Sequence, residues 1–382
     1  MTRTECAVVV LGVGGMGSAA TYHLARRGCD VVGLERYDIP HAQGSSHGVS
    51  RIIRLPQYED PAYVPLVRRA FALWNRLDAT HPRQLLHAVG SVDVGPDDDE
   101  SVYAGSKRAC EAHDIDHDEL SGAVLNERFP GYDLPPEHRA VYQADGGFLH
   151  CEQCIVAHVQ AAHDHGATVR ARETVESWDA DETGVTVRTD RGEYVADRLV
   201  VTAGAWTGQL LPSLSGLLQP ERQVLGWFQP TEPERFAPEN FPVFVADVPE
   251  GHFYGFPTYE IPGFKVGKYR HREETGSPSE LAREPDHEDE RILRSFTERY
   301  FPSAAGPTMR LSTCMFTNTP DSDFLVDIHP DHENVVVGAG FSGHGFKFAS
   351  AIGEALADLA LDGETTAPVE PFRIDRFDGR RQ

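Results

Sequence analysis

The chain has 382 residues, enough for two domains and a sizeable core, and it sets 59 acids against 35 bases for a net charge of −24. A surface this acidic is excluded as a nucleic-acid platform, and no apolar stretch approaches the ~20 residues of a membrane-spanning helix. Only Lys107, Lys265, Lys268 and Lys347 are lysines, and an acid-rich, lysine-poor composition spread along the whole chain predicts a protein of a high-salt cytoplasm, where carboxylates hold water and their repulsion is screened.

Residues 6–36 read as a βαβ unit: strand Cys6–Leu11, helix Ser18–Arg27 ending at Gly28, and strand Asp30–Glu35. Between the first strand and the helix lies the fingerprint Gly12-x-Gly14-x-x-Gly17, which allows a tight turn and lets backbone N–H groups approach a phosphate at a helix N-terminus. Glu35 stands 18 residues beyond Gly17, near the expected place for an acid that binds a ribose hydroxyl, and an acid there disfavours a 2′-phosphate. The N-terminus lacks the basic-then-apolar layout of a signal peptide. A polar segment, His41 to Ser50, leads to Arg51-Ile52-Ile53-Arg54, whose two arginines can share one face of a turn or helix start. Helices are predicted for Tyr63–Asp78 and residues 153–165, and Asp97–Glu100 reads as a solvated loop or helix start. Strands fill 169–195 with a break at Asp190-Arg191-Gly192, and Leu199–Thr202 is a buried strand. It runs into Ala203-Gly204-Ala205-Trp206, a small-residue turn that lets backbone pass close to a cofactor.

From about 220 to 312 the pattern changes to short strands punctuated by proline, glycine and aromatics (Gln223–Phe228, Gly251–Phe256, Phe264–Tyr269), then an acid-rich helix from about Glu288 to Tyr300. A second domain inserted between pieces of the nucleotide-binding domain is expected. Near the C-terminus the fingerprint recurs as Gly338-x-Gly340-x-x-Gly343, again after an apolar run, Val335–Val337. Two fingerprints separated by most of the chain suggest one extended dinucleotide gripped at both ends, and so FAD.

The scarcity of lysine sharpens the reading of those present. Lys347, just after the second glycine loop, would oppose the dipole of a following helix, which is easier to explain if it faces an anion such as a substrate carboxylate; the alternative is a snorkelling surface lysine. Lys265 alternates with Phe264 and Val266 and faces either the cofactor or the core edge. Cys314, taken alone, reads as a buried strand cysteine, and Cys151-Glu152-Gln153-Cys154 as a coincidence at a helix N-terminus, since no second pair completes a metal site. The six cysteines suit a reducing compartment, and the 18 histidines show no metal-ligand spacing.

Pro40-His41, Gly44-Ser45-Ser46-His47-Gly48, Arg51-Ile52-Ile53-Arg54, Tyr254-Gly255-Phe256-Pro257, Thr313-Cys314-Met315, Pro320-Asp321-x-x-Phe324 and the run Gly338–Phe348 closely resemble the monomeric sarcosine oxidase and N-methyltryptophan oxidase family, over essentially the whole chain. The resemblance implies an α/β flavoprotein with two domains. A Rossmann-like FAD-binding domain (1–85, 142–219, 313–382) would be joined to a mainly antiparallel substrate domain (86–141, 220–312). It further implies a cytoplasmic, monomeric oxidase of secondary amino acids that uses O2. A thioether would run from Cys314 to the flavin, and Arg54 and Lys347 would hold the substrate carboxylate with Tyr254 nearby. Lys265 would stand over the flavin and assist its reaction with O2, with Arg51 and His47 near the ring. Arg36, Ser45, Val175, Gly204, Trp206, His344, Gly345 and Lys347 would join Gly12, Gly14, Gly17, Glu35, Gly340 and Gly343 around the cofactor. One departure stands out. Where the family often carries a histidine four residues after the lysine, this chain has Tyr269, so either a bulge brings His271 to the site or that role is changed. An FAD dehydrogenase with another electron acceptor and an N-methyltryptophan or cyclic amino acid oxidase are the alternatives.

Overall fold

A computed structural model describes residues 2–377; residues 1 and 378–382, the outer ends of the expected FAD-binding domain, lie outside the described residues. Five strands run parallel in the order Thr168–Arg170, Val31–Leu34, Thr2–Leu11, Gly192–Val201 and His332–Ala339. Their central runs, Val8–Leu11, Leu199–Val201 and Val335–Val337, are uniformly apolar and fully buried, as expected for strands covered on both faces. One face is covered by helices Gly15–Arg26, Cys151–Asp164 and Ala349–Asp362, through Ala20, Leu24, Ala157, Ile352 and Leu356. The other face packs on Leu211, Leu214, Leu217 and the hairpin of Val175–Asp181 and Gly184–Thr189. The long strand Gly192–Val201 serves both neighbours: its first half pairs with the hairpin and its second half with His332–Ala339.

A second eight-stranded sheet carries most of residues 219–268. Its order is Thr308–Asn318, Gln219–Phe228, Phe264–Lys268, Gly251–Phe256, Val243–Val248, Ser91–Gly95, Arg139–Gln143, Asp118–Ser121. All its pairs are antiparallel except Ser91–Gly95 with Val243–Val248. Helix His287–Tyr300, started by a capping box between Asp286 and Asp289, buries Leu293, Phe296 and Tyr300 against Phe244, Phe253 and Phe264. The strand Thr308–Asn318 straddles the expected boundary at 312/313.

Two local expectations change. The first helix begins at Gly15 rather than Ser18, so the fingerprint itself forms its first turn. The segment Ser50–Ile53 is a strand paired with Gly147–His150, not a turn or helix start. The β-branched Ile52-Ile53 pair suits a strand, and the partner strand that decides the matter lies about a hundred residues away in sequence. Among the described residues no helix is long and apolar enough to cross a membrane, all six cysteines are free, and no cluster of three or more potential metal ligands occurs.

Candidate active site

Both glycine loops open onto one elongated cleft at the carboxyl ends of the parallel strands, walled by Gly12, Gly14, Glu35, Arg36, Ser45, Arg51, Val175, Gly204, Trp206, Gly340, Gly343 and Gly345. Gly17 lies beneath the cleft rather than in its wall: a Cβ there would come 1.8 Å from the Gly12 carbonyl oxygen. Gly12 itself, at φ +88°, would drive a side chain into the Thr202 carbonyl at 2.7 Å. Gly14, in contrast, has nothing within 4 Å of its Cβ position. It starts helix Gly15–Arg26 with no side-chain cap and no acid in the first turn, which leaves the backbone N–H groups free for a phosphate. Glu35 accepts from Val13 N–H and Tyr37 N–H, both at 2.9 Å, with His41 Nε2 3.5 Å away. Burial opposes its charge, but His41 and the two amides hold the carboxyl below its usual range. The cleft therefore has the glycine loops, the uncapped helix start and the acid that a dinucleotide requires.

A second cavity adjoins the cleft, sharing Arg51, Phe316, Gly343 and Phe346 as walls. Its lining adds Arg54, Tyr58, Glu59, His252, Tyr254, Phe256, Tyr269, Cys314, His344 and Lys347. Cys314 lines this second cavity, and Arg51, which borders both spaces, has its Nη2 3.6 Å from the Cys314 sulfur while also donating to Ser45 O at 2.8 Å.

The cavity's cationic end is built from long-range contacts. Arg54 sits one residue past the strand Ser50–Ile53; it donates from Nε to Asp93 at 2.9 Å and from Nη2 to Glu59 at 3.1 Å, with Tyr58 stacked 4.7 Å below. Asp93 is in turn held by Ser106 Oγ at 2.5 Å. Lys347 lies in the single turn Phe346–Phe348 ahead of helix Ala349–Asp362, donates to His344 O at 2.9 Å, and has Glu59 Oε1 at 4.0 Å. Burial pushes its ammonium down to about 7, against the pull of Glu59. Two cations thus share Glu59, a carboxylate supplied by the protein itself.

A family model described as FAD dependent oxidoreductase (DAO) matches residues 7–359. The chain belongs to this family. It is 39% identical to monomeric sarcosine oxidase of Bacillus sp. (strain B-0618) over 377 residues, covering 98% of this chain and 96% of that protein. It is 35% identical to N-methyl-L-tryptophan oxidase of Salmonella arizonae over 375 residues, covering 97% and 98%. Among solved structures, NikD, an unusual amino acid oxidase essential for nikkomycin biosynthesis, superposes with a TM-score of 0.84 at 28% identity, covering 97% of each chain.

Besides Gly17, three residues expected at this DAO-family site lie outside the two linings. Lys265 is buried behind Arg51: its Nζ donates to Gly48 O at 2.8 Å, Ser50 O at 2.6 Å and Ser50 Oγ at 3.0 Å, with Phe256 4.1 Å away. His47 is buried with both ring nitrogens unpaired among the described residues, and burial with Arg51 nearby pushes it down to about 3, so it is neutral. His271 is a correction. No bulge carries it to the cavity; its Nε2 meets Asp289 at 3.1 Å in a buried cluster with Arg222, while Tyr269 lines the cavity and donates to Ser342 O at 2.8 Å. His252, on the neighbouring strand, is also part of the lining, and its Nε2 lies 3.1 Å from Asp247.

Sequence reasoning missed Tyr58, Glu59, Asp93 and His252. Asp93 carried a readable signal, since it interrupts the apolar strand Ser91–Gly95 with a charge that needs a partner once buried.

Proposed function

We propose that the chain is an oxidase of secondary amino acids that converts sarcosine, O2 and water into glycine, formaldehyde and H2O2. The observation that carries this reading is the pair Arg54 and Lys347 at one end of an aromatic-walled cavity adjoining the glycine-loop cleft. Two cations of this geometry suit one carboxylate: Arg54 keeps Nη1 without a partner among the described residues, and Lys347 offers a compact charge. The substrate carboxylate competes with Glu59 for both. Tyr254, Phe256 and Phe316 surround the N-methyl end and exclude water, which favours the neutral amine over the ammonium form.

The two glycine loops and Glu35 would hold FAD, which would supply the acceptor for the hydride lost from the carbon beside nitrogen. Cys314 is the residue proposed to carry it covalently: a C–S bond would replace one S–H and one C–H, and the two electrons released would end on O2. Arg51 Nη2 stands 3.6 Å from the sulfur that would form that bond. Lys265 and Arg51 are proposed to stabilise the charge that forms as O2 is reduced; burial and Arg51 pull the Lys265 ammonium well below its ordinary value, and Glu152 opposes that pull. A monomer in solution is proposed with them.

The test is a screen of secondary amines at high salt with peroxide detection, covering sarcosine, N-methyltryptophan, proline and pipecolate, beside amines without a carboxylate. Peroxide from the carboxylate-bearing secondary amines supports the reading. Turnover of amines regardless of the carboxylate would overturn it.

A further inference from the structure

The segment Gly48-Val49-Ser50 is bent in a way its sequence does not favour. Gly48 has φ +90° and Val49 has φ +74°, and a β-branched residue in the left-handed region is strained unless its surroundings impose the conformation. Gly48 is also tightly placed: a Cβ there would come 2.7 Å from Leu225. Gly48 and Val49 turn their N–H groups to one side and the Gly48 and Ser50 carbonyls face the other, while the Val49 carbonyl accepts from Cys151 N–H at 2.9 Å. On the N–H side stands Glu152, from the first turn of helix Cys151–Asp164. Its Oε1 accepts from Gly48 N–H at 2.7 Å and Val49 N–H at 3.1 Å, and its Oε2 accepts from Val49 N–H at 3.1 Å and the Cys151 thiol at 2.9 Å. On the carbonyl side stands Lys265, holding Gly48 O and Ser50 O, and Arg51 Nη1 donates to the same Ser50 O at 2.9 Å.

We propose that Glu152 is a positioning residue: its carboxylate fixes the Gly48–Val49 corner and thereby aims the Gly48 and Ser50 carbonyls that hold Lys265. The clamp has a carboxylate at one end and the Lys265 amino group at the other, with peptide groups between them. The carboxylate stays ionised for that task. Burial works against its charge, yet the Cys151 thiol, the Val49 amide and Arg51 hold it down at about 2. The Cys-x-x-Cys element at this helix start thus contributes through Glu152, one of the two residues between its cysteines, with the Cys151 thiol as a third donor to the same carboxylate. The consequence for chemistry rests on the proposed part of Lys265 in the O2 reaction.

The experiment compares wild type, Glu152→Gln, Lys265→Met and the double variant, all as holoenzymes. Glu152→Gln keeps the shape of the side chain, but its amide presents one acceptor oxygen and turns an NH2 toward Val49 N–H. Hydrogen exchange at the Gly48 and Val49 amides should accelerate about 10-fold or more, because bonds to a charged acceptor are the strong class. Exchange decides the clamp without redox chemistry, so it stands apart from the substrate and acceptor assignment. Unchanged exchange at both amides overturns the proposal. Reoxidation by O2 after photoreduction needs no amine and reads the coupling. Glu152→Gln should slow it, and the double variant should be no slower than Lys265→Met, because Glu152 acts through that lysine. Independent, multiplying losses, as a merely structural role would give, also overturn it. Should Glu152→Gln fold poorly, Glu152→Asp, which keeps the charge on a shorter arm, is expected to give intermediate exchange at the same two amides.

Discussion

Butyrate, which matches sarcosine in length with carbon in place of nitrogen, is expected to bind more weakly as pH rises, and Lys347 sets the window. Burial pushes the Lys347 ammonium down to about 7 in the ligand-free protein. A ligand carboxylate at ~4 Å restores a negative charge beside it, worth about 4 kcal/mol at an effective dielectric of ~20, or about 3 pKa units. The value in the complex then lies near 7 + 3, about 10. Between these two values the complex binds more protons than the free protein, so affinity is full below pH ~7, falls about tenfold per unit, and levels off near pH ~10. Glu59, His344 and Tyr269 do not titrate in that window. Against the cost of burial, Arg54 and Lys347 hold Glu59 at about 2, while burial pushes His344 down to about 4 and Tyr269 up to about 12. Perturbation of the flavin absorbance by butyrate from pH 6 to 10 measures the slope, and Lys347→Met should bind weakly at all pH values without one. A flat wild-type profile, or the same slope in Lys347→Met, would refute the reasoning.

Cys314→Ala should release its flavin on acid precipitation, whereas wild-type colour should stay with the pellet; colour lost from the wild type contradicts the covalent assignment. Arg54→Met should cost carboxylate substrates at least ~2 kcal/mol in kcat/KM, the scale for breaking a buried charge pair, and amines without a carboxylate far less. Lys265→Met should be reduced anaerobically at near wild-type rate yet reoxidised by O2 at least ~100-fold more slowly, as expected for loss of a preorganised charge; stopped-flow measurement of both half-reactions checks it. With a net charge of −24, raising KCl from 0.1 M to 1 M should raise Tm by about 4 °C or more, since screening shortens the Debye length from about 10 Å to 3 Å. An unchanged or lower Tm would count against adaptation to high salt.

Much of the nucleotide half was legible because its signals are local. Gly12, Gly14 and Gly17 recur at a fixed spacing within six residues, and the apolar runs Val8–Leu11 and Val335–Val337 announce buried strands by composition alone. The substrate pocket was legible only in part. Cys314, Lys265 and Lys347 stood out through resemblance and scarcity, but their surroundings come from distant segments: Asp93 from another sheet, Glu59 across Arg54, Glu152 across the strand pair Ser50–Ile53 and Gly147–His150. Counter-ions of this kind leave no periodic trace. Arg51 and Arg54 were misread as one helical face because a spacing of three fits a turn as well as a strand end. His271 kept its place as a candidate until Asp289, 18 residues further on, proved to hold it. The division of the chain into two domains at 85/86, 141/142, 219/220 and 312/313 remains our proposal.

The central claim is most directly tested by a single turnover of the wild-type holoenzyme, mixed with sarcosine without oxygen and then exposed to O2. The account predicts bleaching of the flavin by sarcosine or another secondary amino acid, followed by full recovery of colour with one H2O2 for each flavin reduced. A flavin that no secondary amino acid bleaches, or that stays bleached in O2, would contradict it.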